Sequence, residues 1–258
     1  MNTLSSIGVI PTIEEIIMKF TKNKIAKSLL GSAIALSAFT STAYAQKVTV
    51  TVQNLTHGSH FTPLLIAAHD GATHLFQLGS AASASLQAMA EGGDITGLVA
   101  DLDAADAVHS SAAGLLAPGD SFTSTELDTG SNNNVLSIVG MVLPTNDGFI
   151  GVNSWEIPSI PGTYTMPGLA YDAGTEANDE LLGLDNAGAL GNAGAPGTPS
   201  GSAGAGGIGA ASTDTNQTVH IHRGVLGDTN ASGGISDFDS RVHRWLNPVA
   251  RVVITVSE

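Results

Sequence analysis

Val135-Leu136-Ser137-Ile138-Val139-Gly140-Met141-Val142-Leu143 is a short run almost without polar side chains, and Pro144 closes it. Its length, apolar content and proline stop read as a strand buried on both faces. Behind it, Pro144-Thr145-Asn146-Asp147-Gly148-Phe149-Ile150-Gly151 reads as a tight turn that carries a carboxylate. Outward from there, Val48, Val50 and Val52 alternate with Thr49, Thr51 and Gln53, the period of a half-buried strand. Phe61 to Ala68 is a second apolar stretch, and Thr218 to His222 and Arg251 to Val256 are further strand candidates. Ala81 to Glu91, rich in Ala and Leu with Gly92-Gly93 behind it, reads as a short helix with a glycine stop. Asp94 to His109 fits no single pattern. Short strands, many turns and one or two short helices make an all-β chain, expected to be an antiparallel β-sandwich with long loops.

Composition removes several functions. The chain of 258 residues has 9 Lys and Arg against 23 Asp and Glu, too few cations to neutralise phosphates, so nucleic acid is excluded as a partner. It has no cysteine, which excludes disulfides, thiolate metal sites and cysteine nucleophiles. At the N-terminus, Lys19, Lys22, Lys24 and Lys27 precede the apolar run Leu29 to Phe39, and Ala43-Tyr44-Ala45 ends it with small residues. That order is a secretory signal peptide, expected to be cut after Ala45. A membrane anchor would need about 20 apolar residues, and this run is shorter and broken by Ser32 and Ser37. Residues 1–45 are thus an extension plus cleaved signal with no stable membrane span left after cleavage. Met18 opens the positive region, so residues 1–17 are either an upstream start or an extended leader.

Residues 46–258 are expected to form one domain, exported to the periplasm, cell surface or medium. Beyond Ala45 remain 5 basic and 21 acidic residues, a balance that repels anionic surfaces and attracts cations such as calcium. Gly183 to Ser212 is mostly Gly, Ala, Ser and Pro and reads as a long flexible loop. A linker between two domains is the competing reading, but the segment after it is short for an independent fold.

Two acidic loops suggest a calcium site. Asp147 lies in the turn after the buried run, and Tyr171-Asp172-Ala173-Gly174-Thr175-Glu176-Ala177-Asn178-Asp179-Glu180 concentrates four more acids. Calcium takes six to eight oxygens, which loops at one end of a sandwich commonly supply. Solvated acids in an acidic protein would give the same pattern.

These segments, with Gly58-Ser59-His60-Phe61-Thr62-Pro63 and Trp245-Leu246-Asn247-Pro248-Val249-Ala250-Arg251, resemble the bacterial branch of the spondin N-terminal domain family. The resemblance covers nearly all of the chain after Ala45. It implies a C2-like β-sandwich, and it implies one Ca2+ held by Asp147, Asp172 and Glu176. Glu176 stands where animal members carry Asp, and the cysteines and thrombospondin-type repeats of animal spondins are absent, so their partners do not transfer.

Two further groups stand outside the resemblance. Asp228, Asn230, Ser232 and Asp239, with Gly233 sixth and Ile235 eighth, follow much of the twelve-residue EF-hand spacing and mark a possible second calcium loop. A polar turn rich in glycine reads equally well. His220 and His222, two apart on a strand, face one side, with His57 and His60 in an earlier loop. Such a cluster would suit zinc or copper, although packing roles are common for strand histidines. Gly-x-Ser-x-Gly, His-Glu-x-x-His and a phosphate-binding glycine loop are all absent. Trp155 and Trp245 read as core anchors rather than ligand platforms. The expected function is therefore a non-enzymatic, calcium-binding spondin-like module for adhesion or recognition, its partner an unknown extracellular protein or glycan. The alternative is a histidine-based transition-metal binder or metalloenzyme.

Overall fold

The structure, a computed structural model, describes residues 45–184, 188–189, 192, 194–197, 204–210 and 216–258. The signal-peptide expectation and much of the 183–212 tract lie outside these residues. Among the described residues there are eleven strands and two helices. The strands are β1 (Lys47–Asn54), β2 (His60–Phe61), β3 (Leu65–His69), β4 (Val108–Ser111), β5 (Ser121–Thr123), β6 (Leu127–Asp128), β7 (Val135–Leu143), β8 (Gly148–Glu156), β9 (Gly162–Asp172), β10 (His220–Ile221) and β11 (Ala250–Ser257). The helices are α1 (Ala84–Gly92) and α2 (Thr96–Ala104). No helix among them is long and apolar enough to cross a membrane.

All strand pairs are antiparallel, and the main path runs β4-β3-β7-β8-β9-β11-β1-β5, with β2 on β7, β6 on β1 and β10 on β9. The result is an all-β, sandwich-like fold whose two halves share β9. The first part of β9, Gly162 to Gly168, pairs with β11, and its last part, Leu169 to Asp172, pairs with β8. Inward residues Val48, Val50 and Val52 of β1 and Val252, Ile254 and Val256 of β11 pack in one core with Ile66, Ile138 and Val152. Val135–Leu143 forms the expected strand, buried at every position. Its second face explains the unbroken apolar run: Val139 and Met141 pack with Leu65, Phe149 and with Leu86, Met89, Leu98 and Leu102 of the helices.

The expected helix is present with caps that its sequence dictates. Ser83 accepts the Leu86 amide as N-cap, and Gly93, in the left-handed region at φ 74, ends the helix. The unassigned Asp94–His109 stretch is α2 followed by the start of β4. Strands β8 and β9 are the corrections. The second acidic segment is not all loop, because Tyr171 and Asp172 are the last residues of β9. Pro167 is tolerated within β9 because pairing with β8 starts only at Leu169, so Pro167 interrupts no bond to β8.

Candidate metal centre

Asp147 sits in the four-residue connection between β7 and β8, and Asp172 ends β9 directly opposite Gly148 of β8. Adjacent strands therefore bring the two carboxylates to one end of the sheet, and both are fully buried. Gly148 is required there, since a Cβ would meet the Thr145 Oγ1 at 2.8 Å and the His222 ring at 2.9 Å. The connection itself is tied by Thr145, whose Oγ1 donates to the Val142 carbonyl and accepts the Gly148 amide.

The Asp147 carboxylate is held on one side only. Its Oδ2 accepts from the Thr175 amide at 2.7 Å, the Thr175 hydroxyl at 3.1 Å and the Glu176 amide at 3.1 Å. Its Oδ1 is buried with no hydrogen-bond partner. Burial, and then the neighbouring Asp172, push the Asp147 carboxyl up to about 6 against the help of those donors. On Asp172, Oδ1 accepts the Gly174 amide at 2.8 Å, Oδ2 accepts the Asn178 side-chain amide at 2.5 Å, and the His220 Nε2 lies 3.7 Å from Oδ2.

Glu176 is joined to this pair by its backbone, but its carboxylate faces a neighbouring cleft. Its Oε2 accepts the Gly194 amide at 3.1 Å and the Asn146 side chain at 3.4 Å. That cleft, about 270 Å³, is lined by Glu91, Asn146, Thr175, Glu176, Asp179 and Gly194. Burial first, and Glu91 among the charges, push the Glu176 carboxyl up to about 7. The structure thus brings Asp147 and Asp172 together and leaves Glu176 one turn aside. Among the described residues, no three His, Asp or Glu side chains stand gathered at metal-ligand spacing.

The 228–239 loop uses its oxygens internally. Asp228 accepts the Asn230 amide on Oδ1 and the Ile235 and Ser236 amides on Oδ2, Asn230 accepts the Ser232 amide, and Ser232 is exposed. Asp239 is engaged by Arg241 through Nε and Nη2, which holds its carboxyl down at about 2. Its neighbour Asp237 accepts the Leu182 and Gly207 amides, and Glu180 accepts those of Leu226 and Gly227. Glu180 thus ties the end of the second acidic loop to residues 226–227, and Asp237 clasps the glycine-rich tract at Gly207, roles that spacing does not reveal. Within that tract Ala195 is fully buried and bridges to Leu182.

The histidines separate. His60 stands opposite Leu143 with His243 nearby, and His57 is exposed. His220 stands opposite Asp172 in β10, while His222 stacks on Trp245 with centroids 4.9 Å apart. Trp245 lies in the core and Trp155 packs against it. Sequence reasoning missed Thr175, Asn178 and Asn146 as partners of the acids, because hydrogen bonding polar groups have no periodicity to betray them.

The late motif around Asn247 is structural: its side chain accepts the Ala170 amide at 2.6 Å and donates to the Ala170 carbonyl at 3.0 Å, continuing the sheet beside Asp172. No curated protein matches the chain. A family model described as Spondin_N matches residues 40–180, more than half the chain and the part that holds Asp147, Asp172 and Glu176, and the chain belongs to that family.

Proposed function

We propose that this protein is an exported, non-enzymatic calcium-binding module that serves adhesion or recognition of an extracellular protein or glycan. The observation that carries the reading is the Asp147 Oδ1, an acceptor buried without a donor beside a second buried carboxylate. Two anions placed so cost free energy unless a cation or a proton neutralises one of them. Calcium would take oxygens from Asp147 and Asp172, draw Glu176 across from the cleft, and complete its shell with carbonyls and water. Its charge supplies the force that gathers the third carboxylate.

Calcium binding only the folded state raises the melting temperature by mass action. With an affinity of roughly 0.1 to 1 mM, the range of extracellular modules, the rise is expected within several millimolar calcium. Asp172→Asn removes most of it. A wild-type melting curve unmoved by calcium overturns the calcium assignment. Export has its own test: the protein recovered from producing cells should begin at Gln46, as measured by intact mass. Gln46 is already tethered, its amide donating to Thr129 and its side chain to the Pro158 carbonyl. A mass that retains Leu29 to Phe39 refutes cleavage.

A further inference from the structure

The 228–239 loop turns its oxygens on its own amides, yet its sequence carries a second pattern. Asparagine followed two places on by Ser or Thr occurs three times in the chain, at Asn54-Leu55-Thr56, Asn216-Gln217-Thr218 and Asn230-Ala231-Ser232. That spacing, with no proline between, is the acceptor for N-linked glycan on the surface of exported proteins. Two of the three have an Asp two places ahead of the asparagine, Asp214 and Asp228, although only 23 of the 258 residues are acidic. This is an extended acceptor, in which a carboxylate gives a cation of the transferase a third group to grip besides the asparagine and the hydroxyl.

The structure separates these asparagines. Asn54 is fully buried, and its Nδ2 already donates to the Ser59 and Leu116 carbonyls. Asp214 and Thr215 lie outside the described residues. Asn230 stands in a loop whose ends, Asp228 and Asp239, are bridged, and Thr229, Asn230, Ala231 and Ser232 are all exposed. The Asn230 Oδ1 accepts the Ser232 amide at 3.1 Å, the Asx-turn arrangement. An amide donor meets only the oxygen of a carboxamide, so Nδ2 is the free end of this side chain. The Ser236, Asn230 and Ile235 amides hold the Asp228 carboxyl below the usual carboxylate range, so it is ionised at neutral pH. Acid, asparagine and hydroxyl therefore share one exposed turn, shaped by hydrogen bonds within residues 228–236.

We infer that Asn230, read together with Asp228 and Ser232, is an N-glycosylation site, taking an oligosaccharide from a diphosphate-linked lipid carrier through a membrane-bound transferase. The inference rests on the proposed reading that the chain is exported, and it stands apart from the calcium reading. The Asn230 Nδ2 bonds to C1 of the first sugar as the bond from C1 to the diphosphate oxygen of the carrier breaks. The lipid diphosphate leaves with that electron pair, and one Nδ2 proton passes to a base of the transferase. A carboxamide nitrogen shares its lone pair with its carbonyl and is a poor nucleophile, so the reaction needs an enzyme that engages the whole turn. The exposure of residues 229–232 lets a bulky glycan extend into solvent without disturbing either core.

The test is mass spectrometry of the full chain recovered from its producing cells. Trypsin cuts after Arg223 and Arg241, so Asn230 falls in the peptide Gly224–Arg241. In the wild type this peptide should carry an added oligosaccharide mass, and fragmentation, which needs no variant, should place it on Asn230. Asn230→Gln and Ser232→Ala, both at exposed positions, should lose the added mass with little change in melting temperature. Asp228→Asn, which keeps an oxygen for the Asn230 amide and removes the charge, should lose most of it. Asn132→Gln, at an exposed asparagine outside the pattern, should retain it. A glycan that survives Asn230→Gln, that is indifferent to Asp228, or that fragmentation places on Thr229 or Ser232 overturns the inference. An unmodified peptide from protein that begins at Gln46 sinks this inference alone. An unmodified chain that retains Leu29 to Phe39 sinks the export reading with it, and a glycan on Asn230 of such a chain supports the inference and refutes cleavage alone.

Discussion

A carboxyl pushed up to about 6 by burial and by Asp172 keeps its proton in the folded, metal-free protein at a pH where the unfolded chain has released it. Asp147 therefore contributes stability below its unfolded value near 4 and loses that contribution as pH rises through about 6. Glu176, pushed up to about 7 chiefly by burial, acts in the same direction. In EDTA, the melting temperature of the wild type should fall relative to Asp147→Asn as pH is raised from 4.5 to 7.5, scan intervals of about one unit resolving a shift of this size. Equal pH profiles for the two proteins would show that Asp147 ionises without cost. The comparison with a variant is needed because Asp70, Asp94, Asp228 and Asp239 are shifted downward, mainly by hydrogen bonds, and act in the opposite sense.

At the level of elements, the β7–β8 pair carries an irregularity between Leu136 and Ile138, and one serine holds it. Ser137 Oγ accepts the Ser154 amide at 2.9 Å and meets the buried His69 Nε2 at 2.8 Å. His69 Nδ1 donates to the Asp70 carbonyl, so Nε2 of the neutral ring is the acceptor and Ser137 its donor. Ser154 lies at φ 44, an uncommon conformation for a residue with a side chain, which this bond helps to maintain. Ser137→Ala strands the buried His69 Nε2 and frees the half-buried Ser154 amide, and should cost about 2 kcal/mol, a buried unsatisfied group costing about 1–3. Urea midpoints at constant slope measure it. A loss under about 0.5 kcal/mol, the range of ordinary surface changes, would mean that water replaces the hydroxyl.

Across the whole molecule, the acids that look like a metal loop act as fasteners. Asp237 joins Leu182 and Gly207, the Ile208 amide reaches the Gly234 carbonyl and the Ala210 amide the Asp179 carbonyl, so residues 207–210 of the glycine-rich tract are bound to the 223–240 segment and to the end of the second acidic loop. Asp237→Ala should therefore lower stability by about 2 kcal/mol or more, because a hydrogen bond to a charged acceptor contributes about 1.5–3 net and two are lost at a half-buried site where water replaces part of them. Faster hydrogen exchange at the Leu182 and Gly207 amides is the second readout. Unchanged exchange at both would show that the tract holds its place without this clasp.

The sequence by itself determined the elements whose signal is local. β1 and β11 are written in period-two alternation, β7 in an uninterrupted apolar run, and the end of α1 in Gly92-Gly93. That Asp147 and Asp172 belong near one another was implied by the family resemblance and not by spacing, which solvated loop acids would satisfy equally. β8 and β9 were hidden because Gly148, Gly151, Asn153, Pro167 and Gly168 mimic turns, and their strand character comes from pairing with distant partners. Only the tertiary structure decided that Glu176 turns to the cleft, that the 228–239 oxygens are spent on amides and Arg241, and that His220 stands against Asp172 while His222 packs on Trp245. Periodicity records which face of a segment meets the core. Which donor meets which acceptor depends on register between strands far apart in the chain, and that register exists only once the sheets have closed.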